Sequence, residues 1–251
     1  MPWTAQAFDE WYLLVYPHRD EAEGRRLIRL LDREVHLQGA KVIDLGCGPG
    51  RHLSALEDAG AQPVGLDRSA SLLREAARRI QTTESRALLV RADWRNLPFP
   101  ADSFDGAASL FTSFGYFSEE DDRRTLCECS RVLHQGGFFL LDYLNRNRVL
   151  AERCEPRERS QGEYTIHENK ALQENGRRIV KRVTISRSQT GAMVADYEER
   201  VTLYAAEELR ALLSDAGFRV QHIWGDYEGA AYDPALSPRT IFLGLRGPSC
   251  A

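Results

Sequence analysis

The 251-residue sequence lacks the features that identify metal-binding, disulfide-rich and membrane-spanning proteins. It contains only five cysteines, and no two of them have the Cys-x-x-Cys spacing of zinc sites and redox motifs. No continuous apolar run approaches the length of about 20 residues that crosses a bilayer. The N-terminus lacks the basic start and the apolar stretch of a signal peptide. These absences argue against a metal site, a disulfide framework and a membrane span, and we expect a cytoplasmic protein.

An excess of one charge is also missing. The chain has 33 Lys and Arg against 37 Asp and Glu, a net charge of −4, with no basic run that could follow a phosphate backbone. We therefore expect no nucleic acid partner. Hydrophobic residues make up 43% of a chain whose length suits one α/β domain with a buried core.

Short apolar runs alternate with helical patterns over the first 143 residues. The runs predict strands at 41–45, 63–67, 87–93, 104–111 and 136–143. Apolar spacing predicts helices at about 20–37, 51–59, 69–80 and 119–133. Strands and helices that alternate at this interval are typical of βαβ units and a parallel sheet.

The periodicity changes to two over residues 163–204, where Asn175-Gly176 forms a hairpin signal. This predicts an antiparallel insert of about three strands with one solvated face. A helix at 206–216 and strands at 218–224 and 240–246 then resume the earlier pattern. We divide the chain into an N-terminal lid with the first helix, a ligand-binding core, an insert that caps the substrate or contacts a second copy, and the C-terminal part of the core: 1–38, 39–160, 161–204 and 205–251.

The strongest motif is the glycine-rich turn at residues 44–50, Asp-Leu-Gly-Cys-Gly-Pro-Gly, directly after the first strand. Glycines at alternate positions let a ligand touch the backbone, and the following helix offers free N–H groups. A dinucleotide fingerprint would need a sixth-position glycine where Arg51 stands. No Gly-Lys-Ser/Thr of a Walker loop is present. The turn is therefore not built for a pyrophosphate.

Acidic residues end the next two strands. Asp67 closes the second strand and Asp93 the third, and Trp94 follows Asp93. Because open α/β sheets bind ligands at the carboxyl ends of their strands, we interpret these acids together with Asp44 as one site. An ionised carboxylate has acceptor positions on both oxygens, so Asp67 suits a pair of hydroxyls.

Together these motifs resemble class I methyltransferases, which use S-adenosylmethionine (SAM) as methyl donor. The resemblance covers about 41–143 and implies a seven-stranded Rossmann-like α/β sandwich, here with an antiparallel β insert. It implies that the glycine turn passes under the methionine half of SAM, that Asp67 holds the ribose, and that Asp93 receives the adenine amino group. The residues expected to contact SAM are Tyr12, Tyr16, Arg19, Asp44, Gly46, Cys47, Gly48, Gly50, Asp67, Arg68, Asp93, Trp94, Leu110 and Phe111.

Two further segments resemble parts of sugar-amine N,N-dimethyltransferases. The stretch 110–117 corresponds to the floor between donor and acceptor, and Tyr116 stands where those enzymes have histidine. We expect Tyr116 to orient the acceptor, since an ordinary tyrosine pKa near 10 makes a poor base. Residues 8–19 are predicted to form a lid, with Tyr12 and Tyr16 toward the sulfonium and Arg19 toward the methionine carboxylate. The alternative is an amphipathic helix that packs on the domain.

The predicted function is methyl transfer from SAM to a nitrogen or oxygen of a small-molecule acceptor. Two alternatives stay open: a SAM-binding regulatory protein without catalysis, and a nicotinamide-dependent oxidoreductase. The expected partner is the small-molecule acceptor alone, with no membrane or metal, and the insert allows for a homodimer.

Overall fold

The computed structural model describes residues 11–16 and 21–248. The strands are β1 Lys41–Leu45, β2 Gln62–Asp67, β3 Leu88–Arg91, β4 Phe104–Ser109, β5 Leu133–Leu144, β6 Arg157–Gln161, β7 Tyr164–Gln173, β8 Arg178–Arg187, β9 Met193–Thr202, β10 Phe218–Trp224 and β11 Arg239–Arg246. The helices are α1 Tyr12–Val15, α2 Glu21–Glu34, α3 Leu53–Asp58, α4 Ala70–Thr83, α5 Glu119–Val132, α6 Arg146–Ala151 and α7 Ala206–Asp215.

Seven strands form one mixed sheet in the order β10-β11-β5-β4-β1-β2-β3. All of its pairs are parallel except those of β11, which runs antiparallel to both β5 and β10. Buried apolar clusters cover the sheet, one of them including the α2 residues Leu27, Ile28, Leu30 and Leu31. The predicted seven-stranded α/β sandwich with an antiparallel insert is therefore confirmed.

Two of the longer helices begin at a serine that caps them. The Ser69 hydroxyl accepts the N–H of Leu72 at the start of α4, and Ser118 does the same for Asp121 at the start of α5. Such caps satisfy N–H groups that have no partner within the helix. None of the helices in the described ranges is long and apolar enough to span a membrane.

The insert is a separate four-stranded sheet in the order β6-β7-β8-β9, one strand more than expected. The additional strand, β6, has the polar sequence Arg-Glu-Arg-Ser-Gln and shows no apolar alternation that would predict it. In the turn between β7 and β8, Asn175 and Gly176 both have positive φ angles, of 54° and 79°. The hairpin signal thus lies where the chain reverses.

The short helix α1 packs directly on the insert. Val15 is 1% exposed and lies in a cluster with apolar side chains of β7, β8 and β9, namely Ile166, Val183, Ile185 and Tyr197. The Trp11 ring meets the Tyr164 ring edge to face, with centroids 5.2 Å apart. Arg159 donates to the carbonyl of Val15. Residues 11–16 and the insert therefore share one small core, as in the packed-helix alternative; Pro17 and Arg19 lie outside the described residues.

Candidate active site

A cavity of about 1420 Å³ opens at the carboxyl ends of β1, β2 and β3 and reaches across to the insert. We call its two parts the turn end, around the glycine turn, and the sheet end, formed by α1 and the inward face of β7–β9. Twelve predicted site residues line this cavity: Tyr12, Tyr16, Gly46, Cys47, Gly48, Asp67, Arg68, Asp93, Trp94, Leu110, Phe111 and Tyr116. Asp44 and Gly50 do not line it, and Arg19 lies outside the described residues.

The glycine turn brings backbone to the cavity surface. Gly46 has φ of 75°, and a Cβ there would lie 2.8 Å from the Ser113 side chain. At Gly48, with φ of 54°, a Cβ would meet no atom within 4 Å, so the backbone borders open cavity. Gly50 instead packs against Ala76 of α4, 3.1 Å from where its Cβ would be. Gly50 thus serves the turn's packing rather than the cavity wall.

Asp44 lies behind the turn and is 1% exposed. Neither of its carboxylate oxygens has a hydrogen-bond partner among the described residues, and His52 Nδ1 lies 3.6 Å from Oδ2. A buried carboxylate in this state requires a further donor, such as water. From behind the cavity wall, Asp44 can order the turn and nearby water without lining the cavity itself.

Asp67 ties the turn to the end of β2. Its Oδ2 accepts the N–H of Gly48 at 2.9 Å, and Oδ1 accepts the N–H of Ser69 at 2.8 Å. Burial raises the pKa of this carboxyl, and these two N–H groups partly offset the increase. Each oxygen keeps a second acceptor position, so Asp67 can hold the turn and a ligand hydroxyl pair together.

Asp93, unlike Asp67, is paired with arginine side chains. Arg95 donates to both of its oxygens, from Nε at 3.0 Å and from Nη2 at 2.8 Å, and Arg68 Nε lies 3.4 Å away. Burial acts to raise the pKa of Asp93, but the Arg95 and Arg68 contacts outweigh it and the pKa falls. Both guanidinium groups also lie over the Phe117 ring. Asp93 is thus held ionised, and its contact with adenine stays a prediction.

The floor of the cavity has an unusual backbone. Phe111 and Thr112 are both in the left-handed region, with φ of 59° and 64°. This conformation costs energy in residues other than glycine and persists only where the surroundings hold it in place. Asp142 accepts the N–H of Phe111 at 2.9 Å, and its other oxygen accepts Arg239 Nε at 2.7 Å. Arg239 Nη2 in turn donates to the Thr112 hydroxyl at 2.9 Å.

The ring of Phe111 is contacted by two cations. The guanidinium carbon of Arg51 lies 4.1 Å from the ring centroid, and that of Arg239 lies 5.1 Å away.

Sequence reasoning missed Asp142 and Arg239, which lie on β5 and at the start of β11. The visible signal was a charged residue within or beside strands that are otherwise apolar, since isolated charges are rarely buried without a role.

The sheet end holds a second group of residues that sequence reasoning missed. The Tyr16 hydroxyl donates to Glu199 Oε2 at 2.5 Å and accepts from Lys181 Nζ. Lys181 Nζ also lies 3.1 Å from Glu199 Oε2 and 3.4 Å from Glu168 Oε1. The signal that was missed is the alternation of side chains along β8. Lys181 lies two residues after Ile179 and two before the buried Val183, so it shares their face and points inward.

Burial also sets the protonation of this group. The pKa of Tyr16 is well above its ordinary value, first because the ring is buried and second because the charge of Glu199 disfavours a phenolate. The hydroxyl therefore keeps its proton and donates a hydrogen bond to Glu199. Tyr116 also lines the cavity, as expected, and packs against the main core.

Comparisons with known proteins agree with this architecture. Residues 42–137 match the family model described as a methyltransferase domain. A glycine/sarcosine N-methyltransferase from Aphanothece halophytica is 33% identical over 148 residues, which are 57% of this chain and 54% of the relative. A demethylmenaquinone methyltransferase from Clavibacter sepedonicus is 38% identical over 41% of this chain and 40% of the relative. The chain thus spans about half the length of the curated relatives it matches.

Solved structures resemble the chain over nearly its whole length. A SAM-dependent methyltransferase from Clostridium acetobutylicum superposes with a TM-score of 0.80 at 17% identity, covering 95% of this chain and 96% of the other. A sugar N-methyltransferase from Streptoalloteichus sp. gives 0.72 at 21% identity, with coverage of 94% and 93%. The predicted resemblance is confirmed at the level of the fold: residues 42–137 match the methyltransferase-domain family model, and the chain shares the fold of SAM-dependent methyltransferases.

Proposed function

We propose that this chain binds SAM and transfers its methyl group to a nitrogen or oxygen of a small-molecule acceptor. The observation that carries the proposal is one continuous cavity, with exposed glycine backbone and Asp67 at one end and a polar sheet face at the other. Pockets for single ligands measure about 300–1,000 Å³. The cavity of about 1420 Å³ has room for a donor and an acceptor side by side.

The residues at the turn end fit a nucleoside with a charged tail. Gly48 leaves open space where any side chain would intrude, so a ligand can lie against the backbone. Asp67 keeps acceptor capacity for the two ribose hydroxyls, and Trp94 adds an apolar ring wall. We assign SAM to the turn end on these contacts.

When bound, SAM supplies a methyl group on a cationic sulfur, which is already a strong electrophile. The protein therefore has mainly to position the acceptor and exclude water. Tyr12 and Tyr16, with ring centroids 4.9 Å apart, cover one side of the cavity. The fixed backbone of Phe111 and Thr112 forms the floor on which both ligands would rest.

The test is transfer of isotope-labelled methyl from SAM to the small-molecule fraction of a cell extract, with S-adenosylhomocysteine (SAH) measured as second product. We expect a labelled small molecule and an equal amount of SAH. A protein that binds SAM but leaves every acceptor unlabelled would be a regulatory binder. A protein that binds a nicotinamide nucleotide and no SAM would contradict the proposal outright.

We further propose a cytoplasmic location. We also propose that the protein has no nucleic acid partner, and the net charge of −4 supports this second proposal. A homodimer through the insert stays a prediction. Light scattering on the purified protein checks it, because a mass of 28.4 kDa identifies the monomer.

A further inference from the structure

The inward face of the insert carries charges where an apolar surface would be expected. Along β9, Tyr197, Glu199 and Val201 are buried and alternate with the exposed or half-exposed neighbours of the opposite face. Glu199 is directly opposite Lys181 in the β8–β9 register. Both residues line the cavity, and apolar pairs lie on either side of them. The charged pair therefore occupies the stretch of the face that borders the cavity.

Glu199 is incompletely satisfied in this position. It is 6% exposed, and its Oε2 receives Tyr16 and Lys181. Its Oε1 is buried and has no hydrogen-bond partner among the described residues. A buried carboxylate oxygen without a donor is costly, so such groups are kept where a ligand or water completes them. Glu168 lies nearby and shares Lys181, which brings two carboxylates to one lysine.

We propose that Glu199 binds the amino group of the acceptor, and that the acceptor class is therefore a small-molecule amine. An amino group is rich in N–H donors and carries positive charge when protonated, which complements the free oxygen of Glu199. Lys181 and Tyr16 hold the carboxylate in place from its other oxygen. This inference rests on the proposed function, because it assigns the sheet end to the acceptor.

The test uses protein saturated with SAH and two matched probe pairs, cyclohexylamine with cyclohexanol and glucosamine with glucose. Binding of each probe is followed by calorimetry or by shifts in nuclear magnetic resonance spectra. We expect at least one amine to bind about tenfold more tightly than its matched alcohol. Glu199→Gln should make the members of each pair equal, with no change in SAH affinity.

Two further variants separate binding from structure. Glu198→Gln is the matched control, because Glu198 is the next residue, faces the other way and pairs with Arg200. It should keep the amine preference. Lys181→Met should increase the preference, since it removes the positive charge that Glu199 now shares. A purely structural Glu199–Lys181 pair would instead make Glu199→Gln and Lys181→Met lose stability alike, with no change in preference.

The outcomes distinguish the two proposals. If SAH does not bind, the proposed function fails, and the probes are then titrated without it. If SAH binds and neither amine is preferred, or if the preference survives in Glu199→Gln, the assignment of Glu199 is overturned while the proposed function stands.

Discussion

The turn end and the sheet end of the cavity are built in different ways. The turn end uses backbone from one continuous stretch, the glycine turn, and acids at the ends of adjacent strands. The sheet end uses side chains that come together from distant parts of the chain: Tyr16 and Glu199 are 183 positions apart. A site made of local backbone suits a ligand that is always the same. A site made of long-range side chains can change its ligand without disturbing the fold.

The difference also shows in the electrostatics. At the turn end, Asp67 is satisfied by two backbone N–H groups. At the sheet end, Glu199 keeps one oxygen without a donor in the described part of the chain. We expect substitutions at the two ends to have separable effects, the first on the donor and the second on the acceptor.

The largest expected effect comes from disrupting the contacts that hold the floor of the cavity. Arg239→Met removes the cationic partner of Asp142, whose carboxylate is fully buried, and the donor to the Thr112 hydroxyl. Loss of one member of a buried ion pair costs about 3–5 kcal/mol. Urea unfolding should show a loss of stability of this size, and affinity at both ends should fall. The control Arg182→Met disrupts an exposed pair with Asp196 and should leave unfolding almost unchanged.

A second prediction concerns Asp122, a buried residue of α5 that accepts the Tyr204 hydroxyl at 2.9 Å. Burial raises the pKa of Asp122 from 3.8 to about 6. The folded state therefore binds the proton more tightly than the unfolded state. The resulting stabilisation is fully present below about pH 4 and is lost as the pH rises through 6, a total of about 3 kcal/mol.

Urea unfolding at several pH values checks this, with Asp122→Asn as the reference that lacks the titrating group. The wild-type free energy of unfolding should fall relative to the variant by about 3 kcal/mol between pH 3 and pH 7. Parallel curves for the two proteins would mean that Asp122 has an ordinary pKa.

The smallest expected effect tests whether α1 moves with the insert. Tyr16→Phe removes the hydroxyl that joins Glu199 and Lys181, and should speed hydrogen exchange in residues 12–16 by about tenfold. Tyr164→Phe keeps the ring contact with Trp11 and serves as control. In wild type, SAH should slow exchange in α1 and β8 together. Slowing in α1 alone would indicate an independent lid, and no change in either would indicate a permanent wall.

Much of the fold could be predicted because its signals are local. Apolar runs predicted the seven strands of the main sheet, and the motif at 44–50 predicted the turn. The polar strand β6 was missed because it is held by pairing with β7 rather than by its own pattern. The left-handed pair Phe111 and Thr112 could not be predicted either, since neither residue favours that conformation.

The two ends of the site differ in the same way. Asp67 and Gly48 were expected because each follows a predicted strand. Glu199 and Lys181 were expected only as part of a charged insert, and which face they occupy depends on strand register. Arg239 contacts Asp142 and Thr112 only because β11 pairs with β5. Such partners follow from tertiary structure and have no short-range signature.

The most direct test of separate donor and acceptor ends is calorimetric titration of SAH into two variants, Asp67→Ala and Glu199→Gln. Asp67 holds the turn and is proposed to accept both ribose hydroxyls, so its loss should weaken SAH binding by about ten- to a hundredfold. Glu199→Gln should change SAH affinity by less than about twofold, because it lies at the other end. Unchanged affinity in folded Asp67→Ala, or an equal loss in Glu199→Gln, would contradict the account.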